Sequence, residues 1–513
     1  MARSRSIAIL KNAVTSYFRQ GVQVLVFFLL TPYTAHRLGT ESFGLWSLLW
    51  AVSGLLALAN LGVSNAVVKF LAEARGRQDE TRVRELTATF FWLQFALGGA
   101  ALALALALLP LLNSLLAVPG HLRGDAILVA LLLAFRVASG MPLGLAAGLL
   151  AAHRRQHVAN LIRAVDTALY GVAVWQVLSW QPDVRALAAT NLAVHLVSGA
   201  ALALCARRLL PGLTFAPRLF RRALVREIAS FSMTSFLVQV SSLLYTRVDS
   251  LVIQRVLSLR SVAFYSVAMQ TVSRGTQMCR QLAHAVTPIV AELKGSGDEV
   301  RLRTVVRKGT KLSTALACPL LIGLIWLAPD LIHAWLGVEF MAAVVPLRLL
   351  AGAALVDACF GVVRTALTMG GQQRITCLIT VAGQVLNLGL TIALVLTPLR
   401  LQGVALATLM ASTVTCFAML WGGGRRLGLR PADVCLRGFL PSLLPSGVML
   451  GALQVLGNWL AVPTNRWLAI ARVGLLEGVA LVVFGLVFLL LGLSAKERSY
   501  FVKTIRSALR RKG

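Results

Sequence analysis

Apolar runs of membrane-spanning length recur along this chain from end to end, and about 20 such residues carry a helix across the hydrocarbon core of a bilayer. The chain is 58% hydrophobic and only 13% charged, with a mean hydropathy of +0.78. Spans are expected at about residues 14–31, 45–68, 87–109, 126–150, 161–180, 186–205, 228–249, 262–290, 312–330, 346–369, 375–396, 403–422, 439–459 and 468–493. The fold class they imply is an all-α polytopic membrane protein of about 14 transmembrane helices. No room is left for a soluble domain.

A net charge of +31 would point to nucleic acid in a soluble protein. Here its distribution gives another reading. Of the 50 Lys and Arg residues, 34 fall in the alternate loops and termini of one side, nine on the other side and seven inside spans. Such an excess over short loops is the positive-inside signature, and it places both termini in the cytoplasm. Runs such as RRLLPGLTFAPRLFRRALVR (207–226) also suit anionic headgroups, at about 1 kcal/mol per charge near the surface. Membrane lipids are therefore expected partners and nucleic acid is not. The seven cysteines show no metal-ligand spacing and read as small apolar residues. Lys11 and Arg19 interrupt the first apolar stretch, so an uncleaved first helix is expected.

The chain repeats itself. LGTESFGLWS (38–47) returns as LSLRSVAFYS (257–266), and the same offset of 219 carries Pro110 onto Pro329, Arg155 onto Arg374 and residues 186–188 onto 405–407. One register kept over that distance argues for two copies of one unit. The expected division is an N-terminal six-helix lobe at 1–218, a C-terminal six-helix lobe at 219–438, and two additional helices with a basic cytoplasmic tail at 439–513. Six spans per copy return the chain to its starting side, so the lobes share one orientation about an axis along the membrane normal. Cargo is expected between them, and the last two helices at the periphery.

The runs TPYTAHRLGTESFGLW (31–46), ANLGVSNAVVKF (59–70), DSLVIQRVLSLRSVAFYSVA (249–268), AWLGVEF (334–340) and NLGLTIALVLTPLRLQGVALAT (387–408) resemble the polysaccharide-transport branch of the multidrug/oligosaccharidyl-lipid/polysaccharide flippase superfamily. The resemblance covers about residues 10–430. Ser258 and Ala263 stand where that family usually has glycine, whereas Gly39 and Gly44 hold the corresponding places in the first copy. It implies a flippase that moves a polyprenyl-diphosphate-linked oligosaccharide from the cytoplasmic to the outer leaflet of a bacterial inner membrane by alternating access. Surface polysaccharide biosynthesis would be its setting, with polysaccharide polymerase and glycosyltransferases as partners and no cofactor.

Arginine at mid-span costs roughly 2.5–3.5 kcal/mol on insertion scales, so it usually faces a cavity or an acid. Arg19, Arg136, Arg163, Arg274, Arg280, Arg364 and Arg472 lie in spans, against the acids Asp166, Asp249, Asp357 and Glu477. The cationic surplus suggests an interior that receives an anion. In the eighth span Gln270, Ser273, Arg274, Gln277, Arg280, Gln281 and His284 share one arc, and similar stripes run through the first span (Asn12, Ser16, Arg19, Gln23) and the seventh (Ser235, Gln239, Ser242, Thr246, Asp249). In the family these helices line the central cavity. A guanidinium fork matches phosphate oxygens and keeps its charge when desolvated. The expected substrate-binding residues are Arg274 and Arg280, then Arg136 and Arg19, with Gln23, Gln239, Gln277 and Gln281 for sugar hydroxyls. The blander alternative is helix packing or snorkelling to headgroups, and it weighs most on Arg19, Arg163 and Arg364 near span ends. Asp166, three residues after Arg163, reads first as an internal ion pair. Asp357, Glu477 and Asp166 are the candidates for ion coupling, because a buried acid can titrate.

Three other functions compete. A peptidoglycan lipid-precursor flippase shares the fold. A cation-coupled multidrug exporter does too, but would favour a hydrophobic cavity with carboxylates, against the cationic surplus. A membrane enzyme would need paired acids, a metal cluster or a nucleophile with its base, and none is found, so an enzyme is not expected.

Overall fold

The computed structural model describes the backbone of residues 2–499 save 211, 462, 464 and 496. Side chains are described from residue 11 onward over the same range, save 13, 113, 115, 234, 235, 237, 238, 241–246, 278, 280–285 and 288. Among the described residues all regular structure is helical. Eleven helices are long and apolar enough to cross a membrane by length and composition. One of them, Val14–Asn60, holds two legs, because helical geometry breaks at Gly39, whose φ of 75° and ψ of 163° lie outside the helical region. Their apolar side chains largely remain on the surface, as lipid-facing helices require.

The chain forms two compact units, Met1–Ala263 and Phe264–Gly513. The first contains α1 (Ala2–Leu56), α2 (Val63–Gly76), α3 (Glu80–Leu108), the short α4 (Leu112–Leu116), α5 (Arg123–Ala152), α6 (Gln156–Trp180), α7 (Val184–Leu209), α8 (Arg222–Val256) and the opening of α9 (Leu259–Gly295). Within it α1 packs along α6, α5 lies against both α3 and α7, and α8 touches α1 and α2. Asn12 ties the start of α1 to α6, its Oδ1 accepting from the His157 amide at 2.9 Å. The closest approach is made by Gly44, where a Cβ would stand 2.0 Å from the carbonyl oxygen of Leu259.

The span expected at 45–68 is discontinuous. Helix α1 ends at Leu56, a 3₁₀ turn covers Ala57–Asn60, and Leu61 (φ 50°) and Gly62 (φ 76°) both turn left-handed before α2 starts. Glycine tolerates that conformation without Cβ strain. Asn60 then restarts the chain, its Oδ1 accepting from the amide and the hydroxyl of Ser64, each at 3.1 Å. Hydropathy alone runs through this break because Leu, Gly and Val remain apolar.

The second unit holds the remainder of α9, α10 (Glu299–Leu336), α11 (Val344–Met369), α12 (Gln373–Val395), α13 (Arg400–Ala418), the short α14 (Pro431–Val434), α15 (Leu440–Trp459) and α16 (Arg466–Val487). There α10 packs on α11, α13 on α11 and α12, and the last pair α15 and α16 on each other and on α10. Trp459 and Trp467, at the ends of α15 and α16 that face one another across their loop, are 85% and 68% exposed, as interfacial anchors are. Helices α8 and α9 cover the seventh and eighth expected spans but are not among the eleven apolar ones.

Candidate functional site

Three helices of the first unit carry polar residues at helical spacing within apolar sequence. On α6 Arg163, Asp166 and Tyr170 lie three and four residues apart, on α7 Asn191, His195 and Ser198 four and three apart, and on α5 Arg136 precedes Gly140 by four. Because α5 packs on α7, and α6 on α1 and α7, these faces meet. The Arg136 guanidinium carbon lies 4.8 Å from the centroid of the Trp50 ring on α1. Its charge is within electrostatic reach of Tyr170, Asp166 and His195. The imidazole fills the notch at Gly140, where a Cβ would stand 3.1 Å from His195 Nε2. Ser198 offers its hydroxyl to Asp166, and the Asn191 amide faces the Tyr170 hydroxyl.

Positive charge outweighs negative in this cluster. Arg163 lies near both Asp166 and Arg19, and Arg19 Nη1 donates to Gln23 Oε1 at 3.5 Å. The guanidiniums of Arg136 and Arg163 thus share one carboxylate, Arg19 adds a third positive charge beside Arg163, and none of the three is in an ion pair among the described residues. The buried Nε atoms of Arg19 and Arg136 and one oxygen of Asp166 have no hydrogen-bond partner there either. A low-dielectric setting strengthens the field of such groups on an entering anion. Arg247 on α8 adds another half-buried guanidinium, packed at Gly54, where a Cβ would lie 3.1 Å from its Nε. Sequence reasoning passed over Arg247, at the outer end of the expected span 228–249, by counting it among the nine charges of the outer side. It also passed over Trp50, Tyr170, Asn191, His195 and Ser198, of which only the α7 trio left a signal, its three-and-four spacing.

The second unit treats its charges differently. Arg364 pairs with Asp357 one face along α11. Arg472 on α16 donates to Asp330 on α10 at 2.7 Å, and to the carbonyls of Leu460 and Gly457 at 2.9 Å each, so it staples the last helix pair to α10. Two of the seven in-span arginines are therefore neutralised within the protein, which reduces the surplus read from sequence. Glu477 on α16 tucks its carboxylate against Gly323 of α10, and its buried Oε2 has no hydrogen-bond partner among the described residues. Arg274 and Gln277 are half-buried on α9, and Gln239 half-buried on α8 of the first unit. The side chains of Arg280, Gln281 and His284 lie outside the described residues, as do those of Ser235, Ser242 and Thr246. No group of three or more His, Cys, Asp or Glu residues that could hold a metal ion occurs among the described residues.

A helical bundle of this order, with guanidiniums inside its spans, has the MOP superfamily fold. The fold is shared with an inward-facing multidrug resistance MATE family transporter, at a TM-score of 0.69 and 19% identity over 81% of this chain and 94% of that one. It is shared equally with the lipid II flippase MurJ in an inward closed conformation, at a TM-score of 0.69 and 14% identity over 93% and 98%. A MOP superfamily transporter from Pyrococcus furiosus, described by the reverse polarity of its binding pocket, follows at 0.61 and 18% identity over 82% and 95%. The polysaccharide biosynthesis protein family matches residues 35–345, and the chain belongs to that family. No curated protein sequence matches it.

Proposed function

We propose that the protein is a flippase that moves a polyprenyl-diphosphate-linked oligosaccharide from the cytoplasmic to the outer leaflet of the bacterial inner membrane, for surface polysaccharide biosynthesis. The observation that carries this reading is the gathering of Arg136 and Arg163 around the single carboxylate of Asp166, with Arg19 adding its charge beside Arg163. A diphosphate supplies the missing negative charge, and guanidinium forks match its oxygens. Arg136 and Arg19 are assigned to the phosphates, and Arg274 and Arg280 on α9 keep the same assignment on chemical grounds. Gln23, Gln239, Gln277 and Gln281 are assigned to sugar hydroxyls. For ion coupling, Asp166 is the best supported of the three acids, since Asp357 is already paired with Arg364. Asp166 lies within electrostatic reach of Arg136 and Arg163, so its protonation would change the field at the proposed anion site. The loop charge bias supports a cytoplasmic side for both termini.

The test is complementation of a host that lacks its own surface-polysaccharide flippase. Wild-type protein restores export, and Arg136→Ala at equal expression abolishes it. Full export by Arg136→Ala would overturn the assignment. Rescue of a host depleted of its lipid II flippase, without restored export, would move the cargo to the peptidoglycan precursor. Resistance to cationic drugs without either rescue would favour an exporter.

A further inference from the structure

A second cationic site lies away from the span cluster, where the ends of α2, α3, α5 and α7 gather in the first unit. A cavity of about 360 Å³ there is lined by Arg75, Glu80, Arg84, His153 and Arg155 and closed by the α7 end at Leu209. That volume is in the range of about 300–1,000 Å³ typical of small-molecule sites.

Three arginines near this cavity are neutralised: Arg77 by Glu73, Arg82 by Glu227 and Arg221 by Glu85. Those inside the cavity are not. Arg75, Arg84 and Arg155 form no ion pair among the described residues, and neither does Glu80. Three guanidiniums against one carboxylate leave two positive charges facing the cavity. Arg75 is held in place by donating from Nη1 to the Ala152 carbonyl at 3.0 Å, which leaves its remaining N–H groups for a ligand. Loop asymmetry explains why arginines are on this side of the protein. It does not explain why three of them line a single cavity with only one carboxylate.

We infer that this cavity binds a phosphate-class dianion, either the phosphate of a membrane lipid headgroup or a soluble phosphate or diphosphate. The charge matches, and guanidinium forks are the side chains suited to tetrahedral oxyanions.

His153 makes the site sensitive to pH. Its Nδ1 stands 2.8 Å from the Leu149 carbonyl, an acceptor only, so Nδ1 carries the proton and Nε2 is bare in the neutral ring. Burial lowers its pKa below the ordinary histidine value; the Leu149 hydrogen bond opposes this, and Arg75 and Arg155 add to it more than Glu80 offsets. An anion in the cavity reverses the repulsion, so ring protonation and anion binding favour each other.

The experiment uses the full-length protein in neutral-lipid nanodiscs. Inorganic pyrophosphate is titrated by calorimetry, and in a parallel arm retention of phosphatidylglycerol is read by native mass spectrometry from mixed-lipid nanodiscs. We expect, in at least one arm, a saturable component that is weakened ~10-fold or more in Arg84→Gln/Arg155→Gln and unchanged both in Arg136→Ala, which alters only the span cluster, and in Arg154→Gln, which removes a charge just outside the cavity. Both replaced arginines are exposed and unpaired among the described residues, so the fold is not at stake. Pyrophosphate binding alone identifies a soluble ligand, and phosphatidylglycerol retention alone a headgroup. No saturable binding in either arm, or equal binding by the double variant, would overturn the site. Sulfate, whose charge is fixed across the range, should bind ~3-fold tighter at pH 6 than at pH 8, with the difference lost in His153→Gln. A flat wild-type profile would remove His153 from the site.

Discussion

The Arg136 guanidinium lies over the Trp50 ring, 4.8 Å from its centroid, and so joins α5 to α1 beside the Asp166 carboxylate that it shares with Arg163. The ring face holds the cation without neutralising it, which leaves the charge available to cargo. Such contacts contribute about 0.5–2 kcal/mol. Trp50→Leu should therefore slow the proposed glycan translocation by roughly 2- to 30-fold, whereas Trp50→Phe keeps most of the rate. Arg136→Lys keeps the charge but loses the fork, and should fall between wild type and Arg136→Ala. Initial rates of lipid-linked glycan translocation in proteoliposomes check this ordering.

Gly44 approaches the Leu259 carbonyl so closely that no side chain fits. Gly44→Ala should destabilise the protein by about 1–3 kcal/mol, since backbone must shift to admit the methyl group. Gly21→Ala, in a helical position with open space around it, should be neutral or stabilising by up to ~1 kcal/mol. Thermal unfolding in detergent, followed by size-exclusion recovery, separates the two.

The pair of Arg472 and Asp330 is a structural contact. Arg472 is almost fully buried, and its carboxylate partner is about one third exposed (8% and 31% of side-chain surface), which moderates the electrostatic term. Arg472→Met removes the pair and also the hydrogen bonds to Leu460 and Gly457, and should cost about 2–4 kcal/mol. Asp330→Asn retains an acceptor and should cost nearer ~1 kcal/mol. Thermal stability and protease resistance of the α15–α16 segment are the readouts. Export activity, normalised to folded protein, should change little in either variant.

Glu497 reports on acid stability. Burial alone would raise its pKa, but hydrogen bonds from Lys311 at 2.8 Å and from the Ser494 amide and hydroxyl, with the Lys311 charge, bring it down from 4.5 to about 2. A carboxylate depressed in the folded state stabilises the fold above its unfolded pKa. That contribution, on the order of 1–3 kcal/mol, fades as pH falls from about 4.5 to about 2. Glu497→Gln should lose it at neutral pH and show a flatter acid limb in thermal melts between those values. An unchanged limb would mean that the contact contributes nothing in solution.

The sequence was most informative where a property belongs to single residues or to a local period. Apolar length, the basic bias of alternate loops and the stripe Asn12, Ser16, Arg19, Gln23 are all of this kind, and the membrane class follows from them, whereas the superfamily rests on the resemblance of longer runs such as TPYTAHRLGTESFGLW. Pairing across helices is not local. Arg472 finds Asp330 142 residues away, and nothing in either neighbourhood marks the match. Trp50 and Tyr170 read as apolar filler until helix packing brings them to Arg136. His195 was hidden for the same reason, its role depending on the missing side chain of Gly140 on another helix. The break at residues 57–62 escaped because hydropathy senses which side chains prefer lipid and is blind to the sign of φ.

That break has a mechanical consequence. Between Leu56 and Val63 the backbone is no uninterrupted ladder of α-helical bonds, and the Asn60 side chain holds the first turn of α2 as a separate start. Two rods joined by a short linker can change their mutual angle by rotating a handful of dihedrals, whereas a continuous rod would first have to rupture its own lattice. The leg beginning after Gly39 and the segment beginning at Val63 therefore have a joint already cut between them.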